Sequence, residues 1–340
     1  MSNPVAQALP TVYAEDFAAL AERVPADSLR RSEWVITGAT GMIPSWLCHF
    51  LGWLDLEAGL GLRLRLVGRS TDAIRKRFPW LEETRGRGHC LHQLRDGRLP
   101  AGIAATANFL LHAASPATPK ACAADPAGLF CANTLLSTDL LGQADPATLR
   151  AALFFSSSEV YGEAPPQSLR SLYPLAKLSG EGLFFQYART RNLPVRIARI
   201  FHTYGPGMDL DGDDRVFAEL VRNALRGEAL HLKSDGTGRR SFAYIADTVA
   251  GLLLLLLKGS HGMTADVGNR GGGLQIRELA EMLARLAPAG PLSVHVQPEP
   301  ERIESPSPDR VPDTSELASL GWEPRVAPEE GFRRTLQSYR

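Results

Sequence analysis

Tyr173 and Lys177 are spaced so that their side chains can act together. They lie four residues apart in Y-P-L-A-K, which indicates the start of a helix, where such residues share one face. A lysine ammonium beside a phenol lowers the pKa of the phenol, so the pair predicts a tyrosinate that acts as a base near neutral pH. With seven tyrosines in 340 residues the spacing also arises by chance, so neighbouring motifs must decide its meaning.

Ser157 and Glu159 lie in the stretch FFSSSEVYG, at the end of a predicted strand. The carboxyl ends of parallel strands carry the sites of α/β folds, so the Ser157 hydroxyl would bind the substrate oxygen that Tyr173 deprotonates. Alternatively, this serine only shapes the turn. Glu159 would act as a general base or orient a substrate group and a water. Its alternative is a backbone hydrogen bond beside the turn.

A glycine turn, TGATGMIP, follows the predicted strand 34–37. Gly38 and Gly41 allow backbone N–H groups and a helix N-terminus to approach a pyrophosphate. The spacing is G-x-x-G, with Pro44 where a third glycine is common, and a plain strand-to-helix turn is the alternative. The pattern predicts a dinucleotide site.

The second predicted strand, 62–68, ends at Arg69 and Ser70. An acid at this position normally binds the ribose hydroxyls of NAD. Arg69 would instead pair with a 2′-phosphate, which makes NADP possible beside NAD. A solvated surface arginine is the alternative.

Strands alternate with helices through the first two hundred residues, which predicts a Rossmann-type doubly wound parallel sheet covered on both faces. The predicted strands are 34–37, 62–68, 107–115, 151–157 and 195–200, and the predicted helices are 45–54, 126–141 and 175–191. The apolar run 252–257 predicts a buried helix, because a membrane span needs about 20 apolar residues.

Beyond residue 200, loops rich in Gly, Asp and Pro predict a smaller lobe interleaved with the sheet domain. We expect an N-terminal helical extension at 1–30. The predicted dinucleotide-binding domain is 31–200 with about 241–268, and the substrate lobe is 201–240 with 269–340.

Composition excludes several classes of partner. Lys plus Arg and Asp plus Glu number 37 each, so no net basic charge favours nucleic acid or a membrane surface. The four cysteines show no metal-ligand spacing, and the N-terminal residues lack the pattern of a signal peptide. We expect a cytoplasmic protein with reduced thiols and without a metal.

Five motifs occur in a characteristic order: TGATGMIP, HAAS, SSSEVYG, YPLAK and RIFHTYGPGM. From about residue 34 to 340 the chain resembles the extended short-chain dehydrogenase/reductases, the NAD-dependent epimerases and dehydratases of nucleotide sugars. ASPATP, DDRV, SDGTGRRSFAYIAD, and DRVPD followed by LGWEP look most similar to the UDP-glucuronate decarboxylase branch.

The resemblance implies a role for individual residues. Tyr173 matches the catalytic base, Lys177 its partner and Ser157 the group that holds the sugar C4 oxygen. His202 replaces the usual Asn of its loop, and Gln93 stands where an adenine-contacting Asp is usual. The implied cofactor contacts are Gly38, Gly41, Met42, Ile43, Gln93, Ala113, Tyr173 and Lys177, and the implied substrate contacts are Ser158, His202, Arg215, Arg240 and Arg310.

The shared first step in this family is oxidation at C4 of the sugar, after which decarboxylation, epimerisation and dehydration compete. Ser158-Glu159 favours chemistry at C5 or C6, so we rank decarboxylase-like chemistry first, then 4-epimerase, then 4,6-dehydratase. The segment 162–172 is shorter than in the decarboxylases, which leaves the substrate open.

Two further expectations concern assembly and class. The resemblance implies a homodimer through helices near 126–141 and 175–191, whose apolar residues are alternatively ordinary core. A cofactor-binding regulator without catalysis is a rival of another class. Ser157, Tyr173 and Lys177 together count against it, because such proteins usually lose the Tyr/Lys pair.

Overall fold

A seven-stranded parallel sheet in the order β10-β6-β5-β4-β1-β2-β3 forms the centre of the protein. The structure is a computed structural model that describes residues 3–162, 171–298 and 310–340. The strands are β1 (Glu33–Thr37), β2 (Arg63–Gly68), β3 (Cys90–Gln93), β4 (Phe109–His112), β5 (Ala151–Ser157), β6 (Val195–Ile200), β7 (His202–Tyr204), β8 (Leu230–Leu232), β9 (Arg239–Tyr244), β10 (Thr264–Val267), β11 (Gly273–Gln275) and β12 (Val294–Val296).

Helices cover both faces of this sheet. They are α1 (Pro4–Gln7), α2 (Thr11–Ala21), α3 (Met42–Ala58), α4 (Thr71–Arg77), α5 (Pro119–Ala124), α6 (Pro126–Asn133), α7 (Leu135–Gly142), α8 (Leu172–Arg191), α9 (Val216–Arg226), α10 (Ile245–Lys258), α11 (Ile276–Leu286), α12 (Ser315–Ser319) and α13 (Pro328–Gln337). Short 3₁₀ turns add Ala26–Leu29, Pro79–Leu81, Arg85–Arg87 and Ser158–Tyr161.

The core lies on both sides of the sheet, as the doubly wound prediction requires. Successive strand residues point to opposite faces, so Val35 and Leu110 belong to one hydrophobic cluster while Ile36 and Leu111 belong to the other. The fold prediction is confirmed, and the strands 151–157 and 195–200 have the predicted bounds.

One predicted helix needs correction. The stretch 126–141 is not continuous, because α6 ends and α7 begins on either side of Thr134. The Thr134 hydroxyl donates to the Phe130 carbonyl over 2.7 Å. The backbone of Thr134 has φ −116° and ψ −68°, so the helix is interrupted at this residue.

Two smaller sheets lie beyond the central one. Strands β11, β9 and β7 form the first, and the parallel pair β12 and β8 forms the second. Strand β7 lies in a stretch predicted to be a loop. The domain boundaries drawn from the sequence stay a prediction.

Helix α10 carries the six-leucine run and packs against β5, β6 and β10. Its residues from Leu252 to Leu256 are all buried, as predicted. Within the described ranges, we find no helix with both the length and the apolar character to span a membrane.

Candidate active site

Ser157, Tyr173 and Lys177 meet at the carboxyl end of β5. Ser157 is the last residue of β5, while α8 begins at Leu172 and packs along the strand. The Ser157 hydroxyl lies within hydrogen-bonding reach of the Tyr173 phenol and lowers its pKa. The Lys177 Nζ donates to the Phe155 carbonyl over 2.8 Å and lies 5.7 Å from the centroid of the Tyr173 ring. The three side chains therefore form one cluster.

Burial governs the proton chemistry of this cluster. Burial raises the pKa of Tyr173 to about 12 and lowers the pKa of Lys177 to about 7. The expectation that Lys177 gives the phenol a lowered pKa is therefore corrected: desolvation outweighs the favourable charges. A hydrogen bond with Ser157 and the guanidinium of Arg215 oppose part of this rise in the pKa of Tyr173.

Glu159 lies in the 3₁₀ turn that follows β5. Its backbone N–H donates to the Ser157 hydroxyl over 3.2 Å, which fixes the start of the turn. The half-buried carboxylate raises the pKa of Tyr173, so its charge acts on the phenol. A carboxylate within electrostatic reach of a base can orient a water or exchange a proton with a substrate carbon.

The glycine turn after β1 is shaped for close contact. Gly38 has φ +69°, and a Cβ atom there would lie 2.7 Å from the backbone of Ala114. The His112 ring ties the two strand ends together, because its Nδ1 atom lies 2.7 Å from the Thr37 hydroxyl. Ala113 follows β4 at this point, and its N–H donates to the Thr37 carbonyl over 3.3 Å. A residue with a side chain at position 38 would occupy the space between this turn and the Ala114 backbone.

Helix α3 begins directly beyond this turn. Gly41 is its N-cap, and Met42 and Ile43 are its first two residues. The first N–H groups of a helix have no partner within it, so these two can meet a pyrophosphate. Pro44 is third, where its missing N–H breaks no helical bond. These residues fit a dinucleotide cofactor.

Arginines lie where β2 and β3 end, at the same edge of the sheet. Gly68 pairs with Gln93 across β2 and β3, so exposed Arg69 and exposed Gln93 stand at neighbouring strand ends. Beyond them, Arg95 and Arg98 exchange both backbone hydrogen bonds around a tight turn. A cavity of about 700 Å³ opens here; its lining residues are Thr71, Leu91, His92, Gln93, Arg95, Arg98, Leu99, Pro100 and Ala101. Behind this lining, Asp139 pairs with Arg98 over 2.6 Å.

Sequence reasoning missed Arg95 and Arg98. The signal was present in Asp96-Gly97, a dipeptide typical of two-residue hairpin turns. Asp96 and Gly97 have positive φ angles of +49° and +72°, as such a turn requires.

A second cleft brings together four predicted substrate residues. Its lining residues are Ser158, Phe201, His202, Arg239, Arg240, Ser241 and Arg310. Burial, with the charges of Arg240 and Arg215, lowers the pKa of His202 to about 3, so the ring is neutral and donates from one nitrogen.

Arg215 and Arg310 are each held by a neighbour. The Arg215 guanidinium pairs with Asp213, with Nε 2.9 Å from Oδ1. The Arg310 guanidinium lies over the Tyr161 ring, 4.2 Å from its centroid. The structure thus gathers the predicted residues at one edge of the sheet, while their roles stay predictions. Most of the short segment 162–172 lies outside the described residues.

The parallel sheet, the glycine turn and the Ser-Tyr-Lys cluster define a Rossmann-type α/β protein. Residues 34–268 match the model of the NAD dependent epimerase/dehydratase family, and the chain belongs to this family.

Curated relatives match part of the chain. UDP-glucuronic acid decarboxylase 6 of Arabidopsis thaliana is 38% identical over 176 residues, covering 50% of this chain and 48% of the relative. UDP-glucuronic acid decarboxylase 1 of Danio rerio is 32% identical over 167 residues, covering 49% of this chain and 38% of the relative. The matches to these curated relatives thus span about half their length or less.

Solved structures share the fold over almost the whole chain. An epimerase of Methanothermobacter thermautotrophicus has a TM-score of 0.76 at 19% identity, covering 95% of this chain and 96% of that one. UDP-glucuronic acid 4-epimerase from Bacillus cereus, in complex with UDP-glucuronic acid and NAD, has a TM-score of 0.73 at 20% identity, covering 90% and 98%. At these identities the likeness establishes the fold.

Proposed function

We propose that this protein is an NAD(P)-dependent nucleotide-sugar enzyme that oxidises the sugar transiently at C4 and decarboxylates a hexuronic acid. The observation that carries the proposal is the cluster of Ser157, Tyr173 and the buried Lys177 at the carboxyl end of β5. The similarity to UDP-glucuronic acid decarboxylases supports the reaction. A 4-epimerase is the second candidate, favoured by structural neighbours described as epimerases, and a 4,6-dehydratase is the third.

The chain's own residues supply binding and proton transfer. Ser157 binds the C4 oxygen and Tyr173 accepts its proton. A bound nicotinamide ring would take the C4 hydride and return it later in the cycle. Because burial raises the pKa of Tyr173 to about 12, the tyrosinate needs nearby positive charge. Arg215 supplies part of this charge, and the pKa stays at about 12 with its guanidinium nearby. Protonated Lys177, whose Nζ lies 5.7 Å from the centroid of the Tyr173 ring, would add to it.

Oxidation at C4 places a ketone β to the C6 carboxylate. The C5–C6 bond can then break, with carbon dioxide leaving and its electron pair passing into a C4–C5 enolate that takes up a proton at C5 from water. Glu159 would orient the carboxylate and a water beside Tyr173. Arg240 and Arg310, with the N–H of His202, would meet the two phosphates of the substrate, since guanidinium groups match phosphate oxygens in pairs.

Product analysis tests the reaction. The protein would be incubated with UDP-glucuronic acid and a panel of other nucleotide sugars, and the products would be followed by mass and NMR. We expect loss of carbon dioxide from the hexuronic acid. Loss of water would identify a dehydratase, and unchanged mass with new stereochemistry an epimerase. Full turnover by Tyr173→Phe would contradict the mechanism.

The cofactor needs a separate test. The family indicates NAD, while the arginines at the ends of β2 and β3, Arg69 and Arg95, suit a 2′-phosphate, so we expect NADP to bind as well. Adenosine 2′,5′-bisphosphate and 5′-AMP differ only in that phosphate. Arg69→Gln should weaken binding of the bisphosphate and leave 5′-AMP unchanged. If wild type bound the two nucleotides with equal affinity, the 2′-phosphate would have no binding site here and the expectation of NADP would be wrong.

We also propose a homodimer through α7 and α8. Leu135, Leu175 and Leu178 lie on these helices and are 50%, 40% and 42% exposed. The apolar surface they form would be covered by the same helices of a second copy.

A further inference from the structure

Tyr161, the aromatic residue of the VYG motif, contacts two guanidinium groups and a carboxylate. The Cζ atoms of Arg310 and Arg199 lie 4.2 Å and 4.7 Å from the centroid of its ring. Its hydroxyl donates to Asp266 Oδ1 over 2.7 Å. A guanidinium at such distances from a ring is attracted by the electrons of the aromatic face.

The Tyr161 ring is fixed on the side of the sheet. Arg199 donates from Nε and Nη2 to the Glu181 carboxylate over 2.9 Å and 2.7 Å. Glu181 also accepts a hydrogen bond from the buried Ser156 over 2.6 Å. Strand β6, helix α8 and strand β5 thus hold one partner of the ring in place.

The other two partners of Tyr161 are Arg310 and Asp266, and both connect it to the segment 310–313. Arg310 begins this segment, and the N–H of Asp313 donates to Asp266 Oδ2 over 3.0 Å. Asp266 therefore accepts from Tyr161 with one oxygen and from this segment with the other. Tyr161 and Asp266 attach the segment to the carboxyl edge of the sheet.

The attachment determines where the Arg310 guanidinium lies. Arg310 is exposed, and a long exposed side chain loses much rotamer freedom when a ligand orders it. Stacking on a fixed ring removes part of that freedom in advance. Arg310 lines the same cleft as Ser158, His202 and Arg240.

We propose that Tyr161 is a positioning residue that holds Arg310 ready for the diphosphate of the substrate. The inference rests on the proposed nucleotide-sugar substrate. Tyr161 acts through Arg310 and touches no reacting atom. It lies two residues beyond Glu159, so one short turn joins the reacting end of the site to its phosphate end.

Affinity for UDP, measured by calorimetry, tests this without any turnover. Tyr161→Leu should weaken UDP binding about tenfold, within the range of a cation–π contact. It should raise the KM of the nucleotide sugar and change kcat little. Tyr161→Phe keeps the aromatic face and should restore most of the affinity. Tyr187→Leu, a half-buried tyrosine on α8 away from the cleft, is the matched control and should bind as wild type does.

A double-mutant cycle separates positioning from a general structural role. In an Arg310→Gln background, Tyr161→Leu should have no further effect on UDP affinity, because the residue it positions is gone. An equal loss in both backgrounds, or no loss in either, would overturn the inference. Thermal unfolding confirms that each variant is folded.

The same titrations distinguish failure of the proposed function. Wild type that binds UDP but converts no nucleotide sugar would overturn the reaction and leave the positioning role standing. Wild type that binds none of UDP, GDP and dTDP would overturn both.

Discussion

Lys177 is buried and Tyr173 lies half-buried beside it, and desolvation moves their pKa values in opposite directions. The phenol holds its proton more tightly, with a pKa of about 12, and the amine holds its proton less tightly, with a pKa of about 7. A base of this kind works only where positive charge stabilises the tyrosinate. Arg215 is such a charge, because its guanidinium lowers the pKa of the phenol.

The pH profile of kcat/KM checks this account. Activity needs the deprotonated phenol, so it should be lost as pH falls. Arg215→Gln removes a charge that lowers the pKa of Tyr173, and the acid limb should therefore move to higher pH. Arg226→Gln, an exposed arginine paired with Asp211, is the control and should leave the limb in place. An unmoved limb in Arg215→Gln would refute the role of this charge.

Glu159→Gln separates the candidate reactions. A glutamine keeps the size of the side chain and removes its charge, so chemistry at C5 or C6 should slow about 100-fold or more in kcat. A 4-epimerase would be spared, because it needs no group there. The exposed Glu228→Gln should behave as wild type. Full activity of Glu159→Gln with release of carbon dioxide would show that Glu159 only shapes the turn.

At the scale of elements, the turn between β1 and α3 determines whether a dinucleotide fits. Gly38 combines a positive φ with close approach to the Ala114 backbone, and a Cβ would violate both. The N-terminus of α3 then lies directly beyond it. Binding of the cofactor therefore depends on the backbone shape that Gly38 allows, since residues 37–44 include no charged side chain.

Gly38→Ala should weaken dinucleotide binding by about tenfold or more and destabilise the fold by more than the ~1–3 kcal/mol of backbone strain alone. Gly59→Ala is the matched control, since Gly59 has φ +59° with nothing within 4 Å of its Cβ position. It should cost the strain but keep the affinity. Equal affinities for both variants, measured by dinucleotide titration, would contradict the close-approach argument.

The sequence predicted the strands that carry apolar runs and missed a polar one. Strand β5 is buried throughout and lies at the predicted bounds. Strand β3, with the sequence CLHQ, is short and half exposed, so it has no apolar run to reveal it. The break at Thr134 lies within an apolar stretch whose periodicity does not reveal it.

At the site, motifs predicted which residues meet, but not their proton affinities. Ser157, Tyr173 and Lys177 follow from the order of the motifs. Burial comes from tertiary packing, because Tyr173 packs against a small cluster that includes Cys122 and Leu129. Tyr161 contacts Asp266 and Arg310, which both lie more than a hundred positions further along the chain. No local pattern encodes such contacts.

At the scale of the whole molecule, three exposed leucines on α7 and α8 predict a dimer. Light scattering should give twice the mass of one chain. Leu175→Glu with Leu178→Glu would place charges at the centre of the proposed interface and should give a monomer. Val311→Glu, at an exposed residue elsewhere, should stay dimeric. A wild-type mass of one chain would contradict the interface.

The proposed function requires that the molecule bring a sugar C4 atom, a phenol and a dinucleotide together for transient oxidation. The most direct test is the turnover rate of UDP-glucuronic acid carrying deuterium at C4 against the unlabelled compound. If the C4–H bond breaks in the cycle, the reduced nicotinamide should form more slowly from the labelled substrate in a single turnover, because its absorbance follows the C4–H step directly. Equal rates of nicotinamide reduction with the two substrates, or no reduction with either, would contradict oxidation at C4.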